Sequence, residues 1–226
     1  MVAAVSHTDD TYLDQHKAAQ VWRRPAHIHL LIDYMLSAWP DHGRIDAGRV
    51  GMFGFSSGGV TTLVVAGGVP DLSLSLAHCA AHPDFFECQL VKKSGGFSAD
   101  IAHLPTSIWV HDARVKAAVV AAPALGYAFG PEGLSEVQIP IQLWRAEDDH
   151  ILPNPYYAEA VRLALPQPSE FHLVANADHF DFLAPCSDQL RQQAPQICVS
   201  RPGFDRTAFH ERFDAEVVRF FERNLG

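Results

Sequence analysis

The chain has 226 residues, 17 of them basic and 26 acidic, giving a formal charge of −9 and a pI near 5.7. That length suits about one domain, and 48% apolar with 19% charged residues is a globular composition rather than a disordered one. The acidic balance argues against nucleic acid or an anionic membrane as the main partner, and no apolar run approaches the roughly 20 residues a bilayer span needs.

Residues 1–6 read as a short buried strand. No basic n-region, long apolar run or cleavage site accompanies them, so no signal peptide is legible; taken literally, that is a cytoplasmic protein. Residues 25–36 read as a helix, with Pro25 suited to its first turn and Ile28, Leu31, Ile32, Met35 and Leu36 on one face. Residues 49–55 form a strand and 58–66 a helix rich in small residues. A short helix at 85–91 sits in an irregular stretch from about 71 to 112. Continuous apolar strands follow at 115–122 and 140–145, then a helix at 156–165, a strand at 171–174 and an amphipathic closing helix at 209–224. Strands alternating with helices, and reading as apolar runs, predict an α/β domain: a mostly parallel sheet covered by helices on both faces. No repeat or linker divides residues 1–226, so one domain is expected, with a cap-like insertion at about 71–112. In such sheets the chemistry lies beyond the carboxyl ends of the strands.

The strand at 49–55 runs into Gly54-Phe55-Ser56-Ser57-Gly58-Gly59. This is G-x-S-x-G between a strand and a helix, the context the nucleophile-elbow motif requires. The sharp turn strains the serine backbone, and its neighbours two positions away, Gly54 and Gly58, are expected to approach too closely for a Cβ. The helix that follows points its amino end at the place where negative charge would develop. The register selects Ser56 as nucleophile, and the backbone N–H of Ser57 as a donor to the oxyanion. A serine needs a base, and the base an orienting acid. The strand at 140–145 ends in Glu147-Asp148-Asp149-His150, and the strand at 171–174 in Asp178-His179-Phe180, both just beyond strand ends.

With these segments in view, the chain resembles the α/β-hydrolase superfamily over its whole length, and is most similar to the bacterial group described as predicted dienelactone hydrolases. The matching segments are Trp22-Arg23-Arg24-Pro25, Gly54-Phe55-Ser56-Ser57-Gly58-Gly59, Asp149-His150-Ile151-Leu152-Pro153, Asp178-His179-Phe180-Asp181-Phe182-Leu183 and Gly203-Phe204-Asp205-Arg206-Thr207-Ala208-Phe209-His210. The resemblance implies a triad of Ser56 as nucleophile, Asp149 as acid and His179 as base. Asp149 is preferred to Asp148 because the superfamily places its aspartate four residues before a proline, here Pro153. It also implies a small-molecule ester or related acyl substrate, and no cofactor or metal. Two departures stand out. Dienelactone hydrolases proper use cysteine where this chain has Ser56. The superfamily sheet order is 1-2-4-3-5-6-7-8, so residues 1–6 correspond to strand 4, with strands 1 to 3 and their oxyanion loop missing from this chain. A truncated or late start is therefore expected, and a signal peptide upstream would make the protein periplasmic or secreted. A catalytically impaired remnant and a peptidase of the same fold are the alternatives to an esterase.

Four cysteines fall in two local pairs, Cys79 with Cys88 and Cys186 with Cys198; four reduced thiols and two disulfides both remain open. A bridge between Cys186 and Cys198 would stiffen the loop after His179. His78 and His82, four apart with Cys79 adjacent, have metal-chelating spacing on a helix, with chance spacing the plainer account. Phe85, Phe86, Leu90, Phe97, Ile101, Leu104 and Trp109 either cap the nucleophile or pack as ordinary core.

Overall fold

A computed structural model describes residues 1–10, 20–93 and 104–226. Four strands, β1 (Val50–Phe55), β2 (Val115–Ala121), β3 (Ile141–Ala146) and β4 (Glu170–Val174), form one sheet in the order β1-β2-β3-β4, every pair parallel. Helices flank both faces: α1 (Arg24–Ser37), α2 (Ser57–Val65), α3 (Leu74–Ala81), α4 (Phe86–Lys93), α5 (Pro131–Leu134), α6 (Ala158–Ala164), α7 (Asp188–Gln193) and α8 (Arg206–Leu225).

The strands alternate between two apolar faces because side chains along a strand alternate. Ala118, Val120, Ile141 and Leu143 face α2 and α6, packing with Val60, Leu63, Val64 and Val161. Ala117, Val119, Ala121, Trp144 and Ala146 face α8, packing with Phe209, Phe213 and Phe220. Apolar residues on both sides give the unbroken Val115–Ala121 run, and covering both faces is what parallel strands require. Helix α8 begins one turn before residue 209 because Asp205 caps it, its carboxylate accepting the Ala208 N–H at 2.9 Å.

The strand expected at residues 1–6 does not form. These residues have no regular structure, Val2 is 95% exposed, and the nearest pairing is an isolated bridge between His7 and Asp10. Apolar composition alone cannot hold a strand: its N–H and C=O groups need a neighbouring ladder. Among the described residues β1 pairs only with β2, so its outer edge carries no strand.

The irregular stretch contains more helix than expected, with α3 preceding α4, and Cys79 is disulfide-bonded to Cys88 across them. Cys186 is bonded to Cys198, and no free cysteine remains. Phe85 packs on Ile151, Leu152 and Tyr157 of the segment after β3, whereas Trp109 packs on the main core. Phe97 and Ile101 lie outside the described residues.

A polar latch ties α1 to the start of β2. The Arg114 guanidinium donates to both Asp112 oxygens, at 2.8 and 2.6 Å, and to Asp33 at 2.6 Å; His29 Nδ1 meets Asp112 at 2.8 Å. Hydrogen bonds from Arg114 hold the Asp112 carboxyl down from 3.8 to about 2. A depressed carboxyl stabilises the fold above its unfolded pKa, and the gain disappears as pH falls through the folded value. Asp112→Asn should therefore lower stability at neutral pH and flatten the stability loss between pH 3.8 and about 2, read from urea denaturation at stepped pH.

Candidate active site

Parallel strands place their carboxyl ends on one edge of the sheet, and three of those ends supply the site. Ser56 follows β1, Asp149 lies just past β3 and His179 just past β4. His179 Nε2 is 3.0 Å from Ser56 Oγ, and His179 Nδ1 is 2.9 Å from Asp149 Oδ2. A carboxylate only accepts, so Nδ1 carries the proton and donates to Asp149, leaving Nε2 to accept the Ser56 hydroxyl proton. The other Asp149 oxygen accepts the N–H groups of Ile151 at 3.0 Å and Leu152 at 2.7 Å. His179 is 1% and Asp149 7% exposed, so the imidazole–carboxylate pair lies out of water while Ser56 is only half-buried.

The neighbouring residues of each type are placed elsewhere. Asp148 points to Arg201, 3.2 Å away at the surface. His150 is exposed and pairs with Asp178. His179 is therefore held by Asp149 and faced by Ser56, and neither Asp148 nor His150 enters that chain of hydrogen bonds.

Ser56 has φ 54° and ψ −118°, a strained conformation for a residue with a side chain. Its backbone is fixed by the end of β2: the Ser56 N–H donates to Ala121 O at 2.9 Å, and the Ala124 N–H donates to Ser56 O at 3.1 Å. Ser57 is the first residue of α2, so its N–H has no partner within the helix and sits beside the Ser56 side chain in sequence. The close approach expected of both flanking glycines holds at Gly54 but not at Gly58. A Cβ on Gly54 would fall 2.1 Å from Gly58 O and 2.3 Å from Thr62 Oγ1, but a Cβ on Gly58 would meet nothing within 4 Å. The second close approach belongs to Gly59, whose Cβ would lie 2.9 Å from Pro123 Cα. The turn brings α2 back against β1 and the end of β2, and residue 58 is on its open side.

The turn carrying His179 is a 3-10 segment, His179–Phe182, with a reciprocal cap. Asp178 accepts the His179 N–H at 2.7 Å, and Asp181 accepts the Asp178 N–H at 2.8 Å. Asp181 is 1% exposed and forms an ion pair at 3.0 Å with Arg206 at the start of α8. Arg206 also donates to Ile197 O at 2.9 Å and to Val199 O at 3.3 Å, on either side of Cys198. One guanidinium thus joins the His179 turn, the Cys186–Cys198 loop and α8. Asp181 and Arg206 stand in the segments Asp178–Leu183 and Gly203–His210, where sequence alone assigns them no role. The aspartate three residues after Asp178 was the available capping signal.

Behind the Asp149 loop lies a buried polar cluster. Tyr157 donates to Glu87 Oε1 at 2.9 Å and its hydroxyl is 3.2 Å from His78 Nε2. Burial pushes the Glu87 carboxyl up to about 7 and, with the charge of His82, pushes His78 down to about 4. Burial and the Glu87 charge raise Tyr127 and Tyr157 above their ordinary range. A second donor group, Glu170, His172 and Glu216, is already met by cations, since Arg219 and Arg223 both pair with Glu170.

No protein-family model and no curated protein matches the chain.

Two substitution tests follow. Gly54→Ala should fail to fold or lose several kcal/mol, whereas Gly58→Ala should leave stability unchanged or slightly raised, since alanine gains up to about 1 kcal/mol of helix propensity over glycine. Equal losses in both would contradict the elbow geometry. Arg206→Ala strands a buried carboxylate and should cost about 3–5 kcal/mol in chemical denaturation.

Proposed function

We propose that this protein is a serine hydrolase of the α/β-hydrolase type that cleaves a carboxylic ester or related acyl substrate. The supporting observation is the chain of hydrogen bonds from Asp149 through His179 to Ser56, with the serine held at positive φ between a strand and a helix. The consecutive order of the four strands agrees with that of the last four strands in the superfamily the sequence resembles. So does the chain order of serine, aspartate and histidine.

In this reading Ser56 Oγ attacks the substrate carbonyl as His179 Nε2 takes its proton. Asp149 keeps the imidazole in the tautomer that leaves Nε2 free, and stabilises the imidazolium that forms. The tetrahedral oxyanion accepts the Ser57 N–H at the positive end of α2. His179 then passes its proton to the leaving alkoxide, giving an acyl-Ser56. Water, deprotonated by His179, releases the acid and restores Ser56. The two backbone N–H groups on Asp149 Oδ1 keep its carboxylate aimed at His179 through both half-reactions.

A fluorophosphonate probe reacts with an activated serine whatever the natural substrate. Wild-type protein should be labelled, Ser56→Ala should not, and Asp149→Asn should slow ester turnover by about 10⁴. An unlabelled yet folded wild type would overturn the proposal and favour a non-catalytic remnant.

A further inference from the structure

The Cys79–Cys88 disulfide joins α3 to α4, and each cysteine follows an ionisable residue, His78 and Glu87. These two side chains turn inward and meet: His78 Nε2 is 3.5 Å from Glu87 Oε1, and the side chains are 6% and 14% exposed. A ring nitrogen of His78, a carboxylate oxygen of Glu87 and Cys88 Sγ all lie within 4.8 Å of one another. Cys79 Sγ lies one bond from this group, in the disulfide with Cys88. One nitrogen, one oxygen and one sulfur converge from two short helices, with the second sulfur bonded to the first. The His78 ring is fixed by stacking on Tyr127, centroids 3.7 Å apart.

Ordinary packing leaves one feature of this cluster unexplained. The Tyr157 hydroxyl satisfies Glu87 Oε1, and the Tyr127 hydroxyl and Leu125 N–H also bear on the carboxyl, but buried Glu87 Oε2 has no donor within hydrogen-bond distance. A buried carboxylate oxygen without a donor is costly, and native structures carry few of them. A cation bound among the four donors would remove that cost.

We propose that Cys79, Cys88, His78 and Glu87 form a zinc-type metal site when their disulfide is reduced. The oxidised bridge closes the site, and thiol–disulfide exchange opens it. A dithiol reductant breaks the protein S–S bond: two protein thiols form, and the reductant, giving up two electrons, becomes a disulfide. The metal ion then displaces both thiol protons to solvent and binds two thiolates, neutral His78 and ionised Glu87. Thiolate with imidazole selects zinc over magnesium or calcium, and four donors match its tetrahedral preference. In a tetrahedral zinc site neighbouring ligand atoms stand roughly 3–4 Å apart. The two sulfurs separate to that spacing once the bond is cut, and the His78, Glu87 and Cys88 donors close by only about 1 Å. The Tyr157 hydroxyl on Glu87 Oε1 then orients a ligand from outside the site. Cys79 is half-buried, so the site opens to solvent on its side.

The test is metal uptake by the full chain, which does not depend on the acyl-transfer reading. Protein reduced with a phosphine and freed of reductant without air is titrated with Zn²⁺ against a chromophoric chelator. Uptake of one ion, bound about 100-fold or more tighter than by the oxidised protein, is expected. His78→Ala and Glu87→Gln should each weaken binding about tenfold or more. Cys79→Ser/Cys88→Ser should abolish it, and Cys186→Ser/Cys198→Ser should retain it. Co²⁺ in the reduced wild type should show the absorption of a tetrahedral thiolate site, a readout that needs no variant to fold. No zinc uptake by reduced wild type, no thiolate–cobalt absorption, or undiminished binding in Cys79→Ser/Cys88→Ser would each overturn the proposal.

Discussion

The ladders between β1, β2, β3 and β4 all run parallel, from Gly54 opposite Val120 to Ala146 opposite Val174. Parallel register puts every carboxyl end on the same edge, and that is why residues far apart in sequence meet there. Register also decides which atoms meet. A strand slipped by one residue would turn its side chains to the opposite face and carry Asp149 or His179 out of reach of its partner. The two-faced apolar core guards against such a slip, because Val119 and Val120 are both fully buried against different helices.

On that edge Asp149, His179 and Asp181 are polar groups that water does not reach, and each is compensated. Asp149 accepts two backbone N–H groups besides His179. Asp181 accepts the Asp178 N–H and the Arg206 guanidinium. Low local dielectric strengthens satisfied networks and penalises broken ones. His179 therefore has little freedom: its ring is fixed by Asp149, its backbone by the Asp178–Asp181 cap, and its turn by Arg206. The strain at Ser56 is tolerated for the same reason, since both of its backbone polar groups bond to the end of β2.

The two disulfides stand in different surroundings. Cys186–Cys198 closes a loop whose carbonyls bond to Arg206, so it supports the turn carrying His179. Cys79–Cys88 lies beside a buried histidine and a carboxylate with an unsatisfied oxygen. One bridge sits among satisfied groups and the other beside a buried carboxylate with one oxygen lacking a close donor. That contrast, rather than the presence of cysteine, is what sets the Cys79–Cys88 region apart.

Local chemistry was legible in the residues. Apolar runs located all four strands to within a residue at each end, because a strand buried on both faces needs an unbroken run. Gly54 marked the tight turn after β1, and strand ends pointed to the Asp148–Asp149 pair and His179; the preference for Asp149 came from the resemblance alone. Tertiary structure decided whatever depends on a partner distant in the chain. Residues 1–6 have a strand's composition but pair with none of the described strands. Gly58 proved to face open space and Gly59 the β2 end, a distinction set by how α2 packs. Disulfide pairing, the Asp181–Arg206 ion pair and the meeting of His78 with Glu87 likewise became visible only in three dimensions. Backbone propensity and hydrophobic period are properties of a segment, whereas pairing, burial and charge compensation are properties of what the fold brings beside it.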